Sequence, residues 1–359
     1  MKKMIITSIC VLLALLAGLG LYAWREIGKA PSEAELKAFE KLPYFKNGEF
    51  QSPQKMVYDF DNVRNGPARM MRFLSRSPFA PKKPLPQLPL SKKDFAEKPE
   101  AFAFYWLGHS SAIMELDGKR LIFDPVLGNA APLPLAVPRY NKAPITWAEL
   151  PKIDYVVITH NHYDHLGRRS VQALREAQFI VPLGVGAALR GWGVSAENIK
   201  EMGWGDVFEE DGLKLSAEQT VHYSGRGLGD RNKTLWNSYI LQSGGKNIYW
   251  AGDTGYGEHF RAIGDKYGAF DLVAIEIDGW NTGWPNTHLF PEEIAKAVQE
   301  LKAKQVIPVH WAVFDLALHP WHESIDMLAE ALKGSNVQML TPVMGQKIIP
   351  GKTKTSKWW

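Results

Sequence analysis

The chain has 359 residues, 45% of them hydrophobic, so it can bury a sizeable core in one large domain or two smaller ones. Its formal net charge is +4, with Lys and Arg interleaved among Asp and Glu, a pattern that argues against a nucleic-acid surface. The only cysteine, Cys10, lies in an apolar N-terminal run, which excludes internal disulfides and thiolate metal sites in the globular part.

Residues 1–30 form a separate element. Lys2 and Lys3 precede an uncharged run over 4–24, closed by Arg25 and long enough to cross a bilayer as a helix. A cleaved signal peptide and secretion are the alternative, but its apolar segment would be shorter, and Gly28-Lys29-Ala30 is followed by Pro31. An uncleaved anchor is the favoured reading. With Lys2 and Lys3 inside, the rest of the chain lies on the extracytoplasmic side.

Residues 31–100 are rich in Pro and basic side chains. Pro78, Pro81, Pro84, Pro86 and Pro89 predict extended or polyproline structure wrapped on a domain surface, a neck between membrane and body. Met70, Met71, Phe73 and Leu74 predict a short helix that packs on the body, with contact to lipid as the alternative. The body spans 101–359. Strands are expected over 102–106, 112–116 and 121–123, with Asp117-Gly118 as a hairpin turn. A strand over 154–159 is followed by a helix over 169–177, and shorter signals occupy 179–181 and 186–192.

Further strands are expected over 213–217, 236–241, 247–250 and 272–277. A helix over 291–303 starts with Pro291, carries Glu292 and Glu293 in its first turn, and gathers Ile294, Ala297, Val298 and Leu301 on one face. A strand over 305–309 leads into His310, and a helix over 323–332 follows. Strand runs with interspersed helices in both halves predict an α/β fold of two packed sheets with helices outside.

The run Thr159-His160-Asn161-His162-Tyr163-Asp164-His165 packs four possible metal ligands into six residues. At an extended strand end, residues two apart point the same way, so His160 and His162 can close on one ion. A loop can turn Asp164 and His165 towards a second. Such a cluster needs a cation or must face water. His222, Asp253 and His310 each come just after a strand as well. The set divides into His160, His162 and His222 for one ion, and Asp164, His165 and His310 for another, with Asp253 bridging. Zinc suits an imidazole-rich site without thiolate, and Mn2+ or Fe2+ also fits. Paired ions about 3.5–4 Å apart activate water and clamp the oxygens of a displacement.

Asp124, before Pro125, can accept a ligand imidazole N–H or merely form an Asp-Pro turn. His288 is a candidate for substrate contact or proton transfer, set against capping the helix that follows. His109 occupies a Gly-His-Ser-Ser turn. His259 reads as a surface residue, and His319 and His322 as structural ones. Tyr163, Tyr223, Trp280, Trp284, Trp311 and Phe314 crowd the same loops, where core packing explains most, and an apolar rim would suit an acyl-bearing substrate. The tail over 352–359 combines cations with indoles, as interfacial membrane segments do, but reads rather as frayed and solvated.

His160-x-His162-x-Asp164-His165 matches the signature of the metallo-β-lactamase superfamily, and His222, Asp253 and His310 fit its remaining ligands. The resemblance covers about residues 101–350 and implies an αββα four-layer sandwich with a dinuclear site. The chain more closely resembles the N-acyl-phosphatidylethanolamine-hydrolysing phospholipase D family. That likeness rests on Trp106-Leu107-Gly108-His109-Ser110-Ser111, Phe123-Asp124-Pro125, the His160 run, His222-x-Ser224-x-Arg226, Asp230-x-Asn232-x-x-Leu235-Trp236-x-Ser238, Gly252-Asp253-Thr254-Gly255-Tyr256, His288 with Pro291-Glu292-Glu293, and His310-Trp311.

This likeness implies two metal ions, a phospholipid substrate, a phosphatidic-acid-type product and a place for His109 near the site. The anchor and neck do not look like the animal enzyme's N-terminal region, so no acyl groove or lipid preference is implied. The competing readings are a lactonase or cyclic-phosphate hydrolase of the same superfamily, and a non-enzymatic cell-envelope binding module. The complete ligand set argues against the last. No protein partner is inferred.

Overall fold

A computed structural model of the chain describes residues 2–65, 77–133 and 136–359. The short helix expected around Met70, Met71, Phe73 and Leu74 lies outside the described residues. Helix α1 (Lys2–Ile27) opens the chain, and its span Ile5–Ile27 is long and apolar enough to cross a membrane by length and composition. Helix α2 (Glu33–Phe39) is capped by reciprocal bonds between Ser32 and Glu35. Phe39 packs with the ribbon β1 (Phe45–Lys46) and β2 (Glu49–Phe50) onto Leu235 and Trp236 of the body. The Pro-rich segment runs along the body, where the Leu88 N–H bonds the Met344 carbonyl at 2.8 Å and Leu85 and Phe95 enter the cores.

The first sheet holds β3 (Phe102–Gly108), β4 (Ser111–Leu116), β5 (Lys119–Phe123), β6 (Tyr155–Val157), β7 (Gln178–Pro182) and β8 (Ile199–Met202). In β3 every side chain is buried. Phe102, Phe104 and Trp106 face the inter-sheet core, while Ala103, Tyr105 and Leu107 face a second core under the helices. Period-2 alternation thus sorts side chains between two buried faces, and no polar alternation remains. Helices α3 (Arg168–Ala173) and α4 (Gly186–Gly191) supply Val171, Ala188 and Leu189 to that second core.

The second sheet holds β9 (Val207–Glu210), β10 (Leu213–Glu218), β11 (Ser238–Ser243), β12 (Lys246–Trp250), β13 (Leu272–Glu276), β14 (Gln305–Val309) and β15 (Gln338–Met339), while β16 (Lys347–Ile348) closes the first sheet beside β3. The sheets meet through large side chains, with Phe123 stacked on Trp250 at 4.2 Å. Helices α5 (His259–Tyr267), α6 (Pro291–Glu300) and α7 (Glu323–Ala331) cover the second sheet, giving four αββα layers.

Several elements differ from expectation: the helix expected over 169–177 is α3 and ends at Ala173, and the strand expected over 154–159 is β6, Tyr155–Val157. Helix α6 ends at Glu300 because Lys302 takes a positive φ of 55°. The expected strand over 236–241 is β11, shifted because the Trp236 indole instead donates to the Thr220 carbonyl at 3.0 Å. The tail is packed rather than frayed: Trp358 stacks on Trp311 at 5.2 Å, and the Trp359 indole donates to Asp326 at 3.0 Å.

Both sheets combine antiparallel hairpins with parallel strands, and β3, β5 and β6 run one way, as do β10, β12, β13 and β14. Their C-terminal ends release His109, Asp124, the His160 run, His222, Asp253, Glu276 and His310. Sites at the carboxyl ends of such strands gather residues far apart in sequence.

Candidate metal centre

The His160 run begins where β6 stops, and its backbone is tied to both sheets. Thr159 accepts the Asn237 N–H at 2.9 Å on its carbonyl, and the Tyr239 hydroxyl donates to the Ile158 carbonyl at 2.9 Å. His160, His162, His222 and Asp253 form one group whose ligand atoms all lie within 4.8 Å of one another. His162 Nδ1 lies 2.8 Å from His160 Nε2 and 3.3 Å from His222 Nε2. A second group of the same compactness joins Asp164, His165 and His310, and also takes in His109. His109 Nε2 sits 2.9 Å from Asp164 Oδ2, so the turn histidine reaches the ligand atoms themselves.

Asp253 stands between the groups. Its Oδ2 lies 3.8 Å from both His160 Nε2 and His222 Nε2 and 3.1 Å from His310 Nε2, while its Oδ1 lies 3.2 Å from His165 Nε2. Despite these approaches, His165 Nε2, His310 Nε2 and Asp253 Oδ1 are buried without a properly directed hydrogen bond. Atoms this close and this poorly aligned with one another converge on shared points, as ligands to cations do. The donor set of imidazoles and carboxylates therefore fits divalent metal.

Burial pushes His109 down to about 3 and His162 to about 4, and His160 and His222 also fall well below the usual imidazole range. Neutral imidazole is the form that binds metal. Burial opposes charge on His165, His310, Asp164 and Asp253 alike, but their mutual attraction outweighs it, holding the two imidazoles well above and the two carboxylates well below their usual ranges; divalent ions would supply that positive charge in their place, with both imidazoles neutral.

The outer atoms of the ligands are also held. Asp124 accepts from His165 Nδ1 at 2.9 Å, the Thr159 N–H at 2.8 Å and the Thr159 hydroxyl at 2.7 Å. His222 Nδ1 donates to the Thr287 carbonyl at 3.1 Å, which leaves Nε2 facing the group. His109, Asp124 and His310 all adopt positive φ, at 52°, 39° and 66°.

His288 lies beside the second group, its Nδ1 3.1 Å from Glu276 Oε2 and 4.0 Å from Asp253 Oδ2. Burial opposes protonation of this imidazole, and the Glu276 carboxylate outweighs it, lifting His288 above its ordinary value. Glu276 was missed in the sequence reading. Its signal was a lone carboxylate inside the apolar run Leu-Val-Ala-Ile-Glu-Ile, and it is fully buried.

Other histidines lie elsewhere. His259, expected on the surface, is 4% exposed, with Nε2 3.2 Å from the Thr254 hydroxyl, because α5 turns its first residue onto the sheet. His319 pairs with Asp278 at 2.9 Å, and His322 with Asp326 at 2.9 Å. Among the aromatic side chains, Tyr223 contacts His162 with centroids 4.6 Å apart and Phe314 contacts His109 at 4.9 Å, while Trp311 stacks on Trp106 in the core.

Comparison with known proteins agrees with this architecture. Residues 119–311 match the family described as beta-lactamase superfamily domain. An uncharacterized protein of Mycobacterium tuberculosis is 41% identical over 266 residues, 72% of this chain and 71% of its own length. The N-acyl-phosphatidylethanolamine-hydrolyzing phospholipase D 1 of Caenorhabditis elegans is 30% identical over 265 residues, 69% of this chain and 74% of that protein. Among solved structures, the isothiocyanate hydrolase from Delia radicum gut bacteria superposes with a TM-score of 0.56 at 20% identity, covering 69% of this chain and 98% of that one, which speaks for the fold alone. With the matched domain, the four-layer sandwich and the buried imidazole–carboxylate clusters in agreement, the chain belongs to the metallo-β-lactamase superfamily, as a metal-dependent hydrolase.

Proposed function

We propose that the protein is a membrane-anchored, dinuclear zinc phosphodiesterase of the phospholipase D type, acting on N-acyl-phosphatidylethanolamine or a related phospholipid. The observation that carries the reading is the two ligand groups, one around His160, His162 and His222 and one around Asp164, His165 and His310, with Asp253 standing between them. His160, His162 and His222 would hold one ion and Asp164, His165 and His310 the other. When bound, such ions supply activated water and electrostatic stabilisation of a phosphoryl group.

The chain's own residues complete the chemistry. His288, backed by Glu276, is placed to hold a proton near Asp253, at the edge of the ligand groups. Tyr223 borders His162, and Arg231 lies over the Tyr223 ring at 4.8 Å while donating to the Tyr58 hydroxyl at 2.7 Å. Phe60, stacked on Tyr58 at 5.9 Å, is 64% exposed. A guanidinium among exposed rings suits a phosphate that carries acyl chains. The activity for which the nematode relative is named supports the same substrate class.

The test is a lipid-panel assay on metal-replete, full-length protein with mass-spectrometric identification of products. Release of phosphatidic acid is the expected result. A panel left intact by protein carrying two ions would overturn the substrate assignment, and absence of bound metal would overturn the dinuclear site.

A further inference from the structure

Arg226 is a buried cation used by no step above. It is 8% exposed, and its guanidinium lies 4.0 Å from the Tyr163 ring centre and 5.3 Å from that of Trp192. Its donors go to backbone from two distant segments. Nη1 bonds the Asn161 and Leu166 carbonyls, each at 2.7 Å, on either side of Asp164 and His165. Nη2 bonds the Glu26 carbonyl at 2.7 Å and Nε the Ile27 carbonyl at 2.9 Å, both in the last turn of α1.

The last carbonyls of a helix have no partner within it and draw cations. In α1 they are taken by the body. Besides the two on Arg226, the Arg25 carbonyl accepts the Trp192 indole N–H at 2.8 Å, and Glu26 pairs with Arg168 at 2.7 Å. The junction beyond is tight. Gly28 has a φ of +79°, and a Cβ there would lie 2.6 Å from the Trp192 ring; a Cβ on Gly184 would lie 2.9 Å from Pro31. A tether free to swing between membrane and body would show none of these contacts.

We infer that α1 is a built-in part of the catalytic body: Arg226 fastens the last turn of the membrane helix to the backbone on both sides of the His162–His165 ligands, so that order in the ligand run and retention of metal depend on the docked helix. Arg226 is a positioning residue here. A planar fork serves four carbonyls in two directions, which the single ammonium of Lys cannot reproduce. The inference also requires that α1 stay attached, since removal before residue 28 would strip two acceptors from a buried guanidinium.

The experiment uses full-length protein in detergent micelles: wild type, Arg226→Lys, Gly28→Val, and Arg168→Gln as a control that breaks the outer ion pair and leaves the Arg226 bonds in place. Hydrogen–deuterium exchange is read over residues 159–167, and metal retention after dialysis against a chelator is read by elemental analysis. Exchange at least tenfold faster, with faster metal loss, is expected in Arg226→Lys and Gly28→Val but not in Arg168→Gln. Wild-type exchange in both test variants overturns the inference, as does a membrane-extracted protein whose mass shows processing before residue 28. Where Gly28→Val loses its near-ultraviolet circular dichroism, Trp192→Phe replaces it, with the same expected direction and the same overturning result. The metal readout rests on the proposed dinuclear site, whereas the exchange readout does not. A wild type without metal therefore sinks that reading and leaves this one to be decided by exchange.

Discussion

His310 donates its backbone N–H to the His109 carbonyl at 3.0 Å, and the two imidazole centroids lie 3.9 Å apart. One hydrogen bond thus joins the end of β3 in the first sheet to the end of β14 in the second, at the ligand atoms. Both residues hold a left-handed backbone, a conformation that costs on the order of 1–3 kcal/mol per non-glycine residue and persists only where the surroundings fix it.

His109→Ala removes the partner of Asp164 Oδ2 within the second ligand group. Bound metal is expected to fall from two ions per chain towards one by elemental analysis, with the His160, His162 and His222 site retained. Two ions in the variant would show that His109 only packs against the site.

Asp124→Asn keeps the shape but replaces an acceptor of three hydrogen bonds with a group that can also donate. Loss of such an outer partner costs about 10–100-fold in metal affinity. Chelator competition should show that drop, with a smaller one for Thr159→Val, which removes only the hydroxyl bond.

Glu276→Gln and His288→Ala test the proton-holding pair. Each is expected to lower kcat by about 100-fold or more with KM little changed, and the double variant should be no worse than the poorer single one, because the pair acts as a unit. Metal content separates this role from ligation: a fall in bound metal in His288→Ala would make it a ligand with Asp253 and His310 instead.

The buried Asp278–His319 pair predicts a pH window of stability. Burial opposes ionisation of both partners, but their mutual attraction outweighs it, raising His319 above the ordinary imidazole value of 6.5 and lowering Asp278 below the ordinary carboxyl value of 3.8. The raised histidine contributes fully below pH 6.5 and loses its contribution as pH rises through the folded value; the depressed aspartate contributes above pH 3.8 and loses it on acidification. The melting-temperature gap between wild type and Asp278→Asn should be widest between those limits and should narrow on either side.

Much of this was legible because strand ends leave a linear trace. An apolar run followed at once by His or Asp marks β6, β12 and β14, and period-2 spacing within His160-x-His162 is local geometry. The entry of His109 into a ligand group was not legible, because it depends on a left-handed turn that a non-glycine residue rarely adopts. Glu276 was hidden by its own neighbours, since a buried carboxylate within an apolar strand has no motif until His288 arrives from another loop. The tail was misread for a similar reason: cations beside indoles look solvated until Trp311 and Asp326 are known to receive them.

The pairing of β16 with β3 bears on how the molecule is made. Ile348 lies opposite Phe104, so the first sheet gains its last strand only from the far end of the chain. During synthesis that edge of β3 must therefore wait until residues 347–348 have emerged, and such long-range closure is slow and exposed to mispairing. If the first helix is already in the bilayer, the first sheet completes itself beside a membrane surface, with β16 as its last strand to arrive.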